Sequence, residues 1–299
     1  MIPDRYRVGI LGSGTALLLC CALVLPAQAQ SPNWADVEGR IQYAYYTNDA
    51  RALNSVLASL KPKAVEGESG PGEDAVERFY FRALTHYRLA QVLITTQKGK
   101  AKDAIDGCGD EIDDGVDALP KVPLGLDETD ENRRKRAEAY ALATACTLAG
   151  REMSSVPFAG GRIGSRIDEA VKLEPKNPRV RLVEALAMFD RAGKNADEQA
   201  AALKNLRSVT VMFEQARAGA SSTPEWGAAE AYAFLGRALL DLHDVVGARE
   251  ALERSLLIAV RAGDRAASHG TPPARCLKTS YARPSIKLRK LDWLAGGAP

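Results

Sequence analysis

The stretch from Ala229 to Val260 predicts two packed helices, and it constrains the fold more than any other part of the chain. Its large apolar side chains recur at spacings of three and four residues, the repeat of one helix face. Small residues stand at Gly236, Ala248 and Ser255, where two helices would approach closely. A single pair of this kind cannot bury its apolar face, so we expect neighbouring pairs.

Similar helical patterns recur along most of the chain. The segment AEAYALATACTLAG at Ala137 echoes AEAYAFLGRALLDL at Ala229, and polar connections at 61–72 and 120–132 separate other helices. These patterns predict an all-α fold of stacked antiparallel helix pairs. The pairs resemble tetratricopeptide repeats, and this resemblance implies a TPR-like α-solenoid. The expected divisions are a signal peptide at 1–29, an N-terminal helical pair and linker at 30–72, the repeat domain at 73–262 and a basic tail at 263–299.

The first residues have the pattern of a secretory signal peptide. Arg5 and Arg7 precede a long apolar run, and Ala27-Gln28-Ala29 forms a small-x-small cleavage site. Cleavage after Ala29 would leave a periplasmic or secreted chain with no further membrane span. An uncleaved anchor is the alternative, because the apolar run approaches the length that crosses a bilayer.

Charge and composition restrict the classes of function. The chain has 40 Lys+Arg and 38 Asp+Glu, and this near balance argues against a nucleic-acid-binding protein. An aromatic content of 6% suits close helix packing better than β-sheets. Acidic residues at helical spacing favour a solvated helix face over a calcium loop, and they are Asp103, Asp106, Asp110, Asp113 and Asp117.

The sequence contains no recognisable catalytic or metal-binding motif. His86, His243 and His269 stand apart from other metal-ligating residue types at zinc-site spacing. His243 is interpreted as a turn residue between two helices. The glycine-rich segment 158–161 lacks the Lys-Ser/Thr end of a phosphate loop and is interpreted as an open connection. We therefore predict a non-catalytic protein with no cofactor and no metal site.

Three cysteines follow the predicted signal peptide, at Cys108, Cys146 and Cys276. Export would place them in an oxidising compartment, where a disulfide persists. Cys108 lies on an apolar helix face, and Cys146 lies on the next helix of an antiparallel pair at a comparable distance beyond the loop. We hypothesise a disulfide between these two; a pair of buried thiols is the alternative.

Several motifs resemble those of exported bacterial tetratricopeptide repeat (TPR) proteins. They are Phe158-Ala159-Gly160-Gly161, Glu169-Ala170 through Pro175, Asn177-Pro178-Arg179-Val180, Pro224-Glu225-Trp226-Gly227 and Ala231-Tyr232-Ala233-Phe234-Leu235-Gly236. The resemblance covers roughly residues 140–260, less than half of the chain. It implies an α-solenoid and an envelope or secreted location, and it assigns no catalytic residue. The chain departs from the family pattern at Val260, where a repeat usually ends in proline.

An array of helix pairs presents a groove lined by the first helix of each pair. We therefore expect a protein–protein interaction module that binds a peptide or a partner protein of the cell envelope in this groove. A small-ligand or solute-binding accessory protein is the alternative function. The register of the helices places five candidate binding residues near the groove: Tyr140, Thr144, Arg181, Tyr232 and Arg237.

The basic tail ends in the segment RPSIKLRKLDWL at 283–294, which predicts a short helix. We expect this helix to cap the last pair, because the end of a solenoid needs a cover. Contact with an anionic envelope polymer or with lipid head groups is the alternative.

Overall fold

The computed structural model describes residues 32–61, 74–120, 127–154, 160–193, 195–219 and 226–268. Every regular element within these ranges is an α-helix, which confirms the predicted all-α class. The predicted signal peptide, Cys276 and the basic segment 283–294 lie outside the described residues. The helices are α1 (Trp34–Tyr46), α2 (Ala50–Ser59), α3 (Ala75–Leu93), α4 (Lys98–Asp117), α5 (Asp130–Ser154), α6 (Gly160–Leu173), α7 (Pro178–Ala192), α8 (Ala196–Gly219), α9 (Ala228–Asp241) and α10 (Val245–Ser268).

Polar caps and turn residues explain several of the helix boundaries. The side chains of Asn33, Asp49 and Asn177 accept hydrogen bonds from backbone N–H groups at the starts of α1, α2 and α7. These bonds satisfy donors that have no partner within a helix. Pro178 occupies the first position of α7, where a missing N–H costs little. His243 takes a positive φ of 61° in the turn between α9 and α10.

Three helix boundaries differ from those expected from the sequence. Helix α5 begins at Asp130, inside the polar connection expected at 120–132. Helix α6 begins at Gly160, inside the glycine-rich segment interpreted as an open connection. Helix α10 continues to Ser268, beyond residue 262, where the repeat domain was expected to end. A glycine in a helix costs about 1 kcal/mol relative to alanine, and favourable neighbouring residues can offset this cost. A helix can therefore include glycines such as Gly160 and Gly263.

The helices pack as successive antiparallel pairs. Each odd-numbered helix packs against the even-numbered helix that follows it, and short connections force such neighbours to run antiparallel. Helix α3 also packs against α1 and α5, and α5 packs against α7. Helix α10 packs against α1, so the last pair contacts the first. The facing sides of α1, α3, α5, α7 and α9 are called the inner surface below.

Apolar burial is divided between two clusters. The first joins mainly α1 to α5 and contains Ile41, Leu84 and Leu142. The second joins α7 to α10 and contains Leu182 and Leu206. Much of both clusters is alanine, which allows helix axes to approach closely. No helix in the described ranges is long and apolar enough to cross a membrane.

Gly236 permits the close approach of α9 to α10. A Cβ atom at this position would lie 2.7 Å from Leu252 Cγ and 3.1 Å from the Ala248 carbonyl oxygen. Both distances are shorter than an ordinary van der Waals contact, so a larger residue would push the two helices apart. The small residue predicted at this helix contact is therefore a steric requirement.

Cys108 of α4 and Cys146 of α5 are joined by a disulfide. Their Cα atoms are 6.5 Å apart, and both residues are buried. The bond lies between the two helices on which the cysteines were placed from the sequence. It links positions separated by 38 residues, across the connection that contains residues 121–126.

Exposed large apolar side chains are concentrated on the last helix pair. Within the described ranges, those on α9, α10 and their connecting turn are Leu240, Leu242, Val245, Val246, Leu256, Leu257 and Val260. Val211 of α8 is also exposed. The tail expected to cover this end lies outside the described residues.

Candidate functional site

Trp226 fills the centre of the inner surface. This residue lies just before α9 and is only 2% exposed. Its backbone N–H donates to Glu38 Oε1 at 2.7 Å, and its indole N–H donates to the Tyr80 hydroxyl at 2.7 Å. Its carbonyl oxygen accepts a hydrogen bond from Arg179 Nε at 3.3 Å. Side chains from α1, α3 and α7 therefore satisfy every polar group of Trp226.

Arg88 of α3 joins the start of α9 to the same centre. Its guanidinium forms an ion pair with Glu230 and donates to Gln42 of α1 at 3.3 Å. It also lies over the Tyr45 ring, 4.2 Å from the ring centroid. The second carboxylate oxygen of Glu230 accepts from the Gly227 backbone N–H at 2.9 Å. One buried carboxylate thus caps α9 and holds it against α3.

Glu138 of α5 extends the polar contacts of the centre. It accepts hydrogen bonds from Arg179 Nη1 at 2.9 Å and from Asn177 Nδ2 at 2.9 Å. The Tyr80 hydroxyl donates to Glu138 at 3.3 Å while it accepts from the Trp226 indole. These contacts connect α3, α5 and α7 at one point. The group Glu38, Tyr80, Arg88, Glu138, Arg179, Trp226 and Glu230 is called the centre below.

Burial and charge raise the pKa values of Arg88, Tyr80 and the neighbouring Tyr45. Burial opposes the charge of Arg88, but the Glu230 carboxylate and nearby tyrosines raise the pKa of Arg88 above its ordinary value. Burial raises the pKa of Tyr45 to about 12 and raises the pKa of Tyr80 well above its usual range. These three groups keep their protons near neutral pH, which suits fixed packing better than proton transfer.

The inner surface also contains a cavity of about 280 Å³, and none of the residues of the centre lines it. Tyr87 of α3 and Leu148 of α5 line it, and the rings of Phe189 and Phe234 contribute from α7 and α9. Leu206 of α8 adds a further apolar side chain to the lining. The volume is near the lower end of ligand-binding cavities, which span about 300–1,000 Å³. The odd-numbered helices thus provide most of the residues around this space.

Two ion pairs stand at the rim of the cavity. Asp190 of α7 pairs with Arg151 of α5, and Arg237 Nε of α9 donates to Asp241 Oδ1 at 3.2 Å. Each acidic side chain has a basic partner, so the rim has no net charge from these four groups. An apolar interior with a neutral polar rim suits a bulky apolar group, since burial of apolar area is the main favourable term there.

Of the five residues predicted to bind a partner, Arg237 lines the cavity. Thr144 is fully buried in α5, where its hydroxyl donates to the Tyr140 carbonyl oxygen at 2.9 Å. Tyr140 itself lines a different cleft, between α4, α5 and α6. Thr144 and Tyr140 are therefore not brought together with Arg237 in one site.

The remaining two predicted residues make contacts away from the cavity. Arg181 Nη1 lies 2.7 Å from a Glu184 carboxylate oxygen within α7. The Tyr232 hydroxyl donates to Glu214 of α8 at 3.1 Å. The Tyr232 contact joins α9 to α8, whereas the Arg181 contact stays within α7. Neither residue lines the cavity.

Several residues of the inner surface were missed in the sequence. Phe234, Ala238 and Asp241 follow one another at helical spacings of four and three, so they share a face of α9. Leu235 and Leu239, whose apolar spacing predicts this helix, instead pack in the second core cluster. The residues that line the cavity therefore lie on an adjacent face of the same helix.

A second, more polar cleft lies between α4, α5 and α6. Its lining includes Asp113, Asp117, Arg166 and Glu169, and Arg166 donates to Asp113 at 2.9 Å. Val116 provides an apolar contact there. Within the described ranges, no group of three His, Cys, Asp or Glu side chains is placed to hold a metal ion. The apolar cavity is thus the better candidate for a binding site.

No protein-family model matches the chain, and a comparison with curated proteins finds no significant match. The resemblance of the helical motifs to exported TPR proteins therefore stays a prediction. Function has to be inferred from the chemistry of the inner surface.

Proposed function

We propose that the protein is a non-catalytic, TPR-like interaction module of the bacterial cell envelope. It docks a bulky apolar side chain of a partner peptide or protein in the cavity of the inner surface. The observation that carries this proposal is the apolar cavity of about 280 Å³ beside Arg237, one of the residues predicted to bind a partner.

The packing of the helices supports the TPR-like part of the proposal. The helices form antiparallel pairs in chain order, and small residues such as Gly236 stand where a pair approaches most closely. The cavity is lined mainly by α3, α5, α7 and α9, the first helices of successive pairs. First helices also line the binding groove of TPR arrays.

The location in the envelope is supported by two features. The predicted signal peptide at 1–29 would direct export. The disulfide between Cys108 and Cys146 would persist in an oxidising compartment, whereas cytosolic proteins usually keep such thiols reduced. Both features agree with a periplasmic or secreted protein.

The chemistry of the cavity favours reversible docking. Full burial of a leucine or phenylalanine side chain contributes about 1.5–3 kcal/mol, and association itself costs translational and rotational freedom. Further contacts must therefore come from the rim. Arg237 engages Asp241 through Nε, so its Nη groups can donate to backbone carbonyl groups of a peptide.

The proposal can be tested with a substitution that fills the cavity. Selection of a displayed peptide library on the protein should enrich sequences with a bulky apolar anchor. The substitution Ala238→Met should weaken binding of a selected peptide by about tenfold or more, because about 1.4 kcal/mol of lost contact corresponds to tenfold. Binding is measured by isothermal titration calorimetry.

Leu240→Ala is the matched control, because Leu240 is 41% exposed on the same helix and does not line the cavity. Its affinity for the peptide should equal that of the parent. Equal binding by the parent and by Ala238→Met would contradict the proposal.

A small-ligand function is the second candidate, and the limited size of the cavity favours it. A metabolite that occupies the cavity should raise the melting temperature of the parent and not that of Ala238→Met. If the metabolite has this effect and the peptide selection enriches no apolar anchors, the small-ligand function is supported and the peptide-binding function is contradicted.

A further inference from the structure

We propose that the centre of the inner surface is a recognition site for a tryptophan residue in peptide linkage, and that Trp226 of the same chain fills it. This site is separate from the cavity, so the inference does not depend on docking there. It explains why the last helix pair closes onto the first pairs.

The hydrogen bonds of Trp226 distinguish tryptophan from other aromatic residues. The indole N–H donates to the Tyr80 hydroxyl at 2.7 Å, and a phenylalanine ring has no such donor. Glu38 and Arg179 bind the backbone N–H and carbonyl of the same residue. The site therefore binds both the side chain and the adjoining peptide groups.

Two guanidinium groups contribute to recognition of the ring. The Cζ atoms of Arg88 and Arg179 lie 6.0 Å and 5.7 Å from the Trp226 ring, within the range of cation–π attraction. Arg179 is held in place by Glu138 of α5 at 2.9 Å. Its position therefore does not require the helix that follows Trp226.

The site also restricts which residue can follow the tryptophan. Gly227 has a φ of 99°, a region that side chains rarely adopt. A Cβ atom there would lie 2.8 Å from Phe213 Cζ and 3.3 Å from Leu182 Cδ2. The site accordingly fits a tryptophan followed by a glycine.

The groups that contact Trp226 belong to α1, α3 and α7, while Trp226 itself enters with α9. A Trp-Gly segment on another chain has the chemistry to make the same contacts. The chain's own Trp226 has the advantage of a high effective concentration, so it blocks such a competitor. A tryptophan peptide can therefore bind to this site of the parent only if the last helix pair moves away from it.

The experiment uses the full chain with Trp226→Ala and the probe N-acetyl-L-tryptophanamide. We expect a lower melting temperature for the variant and a saturable recovery as the probe is added. The parent should bind the probe at least about tenfold more weakly, because Trp226 already occupies its site. Binding is measured by calorimetry and by thermal unfolding.

Two controls test the specificity of the site. N-acetyl-L-phenylalaninamide should bind the Trp226→Ala variant about fivefold more weakly, since it lacks the donor for Tyr80. Adding Tyr80→Phe should remove most of this preference for tryptophan over phenylalanine. Equal recovery with both probes, or equal binding of the tryptophan probe by the parent, would overturn the proposal.

A second measurement applies where Trp226→Ala does not fold. In the parent and in Tyr80→Phe, hydrogen exchange of the Trp226 indole N–H is followed by NMR, with the Trp34 indole as reference. Loss of the hydrogen bond should speed exchange at Trp226 by about fivefold relative to Trp34. Unchanged exchange at Trp226 would overturn the proposal.

Discussion

The centre and the cavity are two regions of one inner surface, but they differ in chemistry. In the centre, Arg88, Glu138, Arg179 and Glu230 are buried and joined by ion pairs and directed hydrogen bonds. In the cavity, the lining is mostly apolar, and charges are confined to the rim. A buried charge tolerates only an arrangement that pairs it, whereas apolar contact is non-directional. The centre therefore selects one occupant, and the cavity can accept several.

Helix α9 belongs to both regions. Its first turn carries Glu230, which pairs with Arg88 in the centre. Its last turns carry Phe234, Arg237 and Asp241, which line the cavity. Contacts in the centre thus position one wall of the cavity. Substitutions that act on one region or the other can separate the two roles.

The largest expected effect comes from Arg88→Met, which removes the buried cation of the centre. Glu230 would keep a buried negative charge without its partner, and the free energy of unfolding should fall by about 3–5 kcal/mol. Urea unfolding measures this loss.

Arg249→Met is the matched control for Arg88→Met. Its ion pair with Glu253 is exposed, so the change should be within about 0.5 kcal/mol. Similar losses for the two variants would show that the centre does not hold the fold together.

A slightly smaller loss is expected from removal of the disulfide, which lies outside both regions. The double substitution Cys108→Ala/Cys146→Ala should lower the free energy of unfolding by about 3–4 kcal/mol, because the unfolded chain gains conformational freedom. Peptide binding in the cavity should stay within about twofold of the parent, since neither cysteine lines it.

Thiol titration of the unfolded, unreduced protein checks the bond directly. Cys108 and Cys146 should both resist alkylation until a reductant is added. Alkylation of either residue without a reductant would contradict the pairing.

An intermediate effect is expected from Gly236→Ala, which acts on the helix shared by the two regions. The added methyl group would press on Leu252 and separate α9 from α10, at a cost of about 1–3 kcal/mol. The control is Gly109→Ala in α4, where a Cβ would meet nothing within 4 Å. That variant should gain up to about 1 kcal/mol from helix propensity. Thermal and urea unfolding show whether each variant is less stable or more stable than the parent.

The smallest effect concerns His86 of α3, next to Tyr87 of the cavity and Arg88 of the centre. Burial lowers the pKa of His86, while Glu111 and Asp110 partly oppose this shift and Arg82 reinforces it. The unfolded chain then binds a proton more readily than the folded chain. Stability should fall as the pH drops from about 6.5, the ordinary histidine pKa, through the lower folded value.

His86→Gln should flatten this part of the pH profile by less than about 1 kcal/mol. Urea unfolding at several pH values, from neutral to mildly acidic, provides the comparison. If the pH profile of His86→Gln is identical to that of the parent, groups other than His86 cause the acid sensitivity.

Local features of the fold were accessible from the sequence because their signals lie within a few residues. Apolar spacing along 229–260 indicated α9 and α10, and Gly236 marked their contact. The helix faces of Cys108 and Cys146 led to the pair that is bonded in the structure. Each of these inferences needed one helix or two neighbouring helices.

The candidate site was less accessible for a physical reason. The bond from Trp226 to Glu38 joins residues 188 positions apart, and the bond from Arg88 to Glu230 joins residues 142 apart. Helical periodicity shows which face of a helix is apolar, but not which distant helix will cover it. Arg237 was predicted as a binding residue and lines the cavity, whereas Phe189 and Phe234 line it without having been predicted.

The sequence by itself determined the helices, their caps and their close contacts, since these depend on short-range sterics and hydrogen bonds. Only the tertiary structure decided that α10 packs against α1 and that Trp226 fills the inner surface. That closure depends on pairing buried charges from distant helices. These charges become buried only when the whole array has formed, so leaving them unpaired is costly only then.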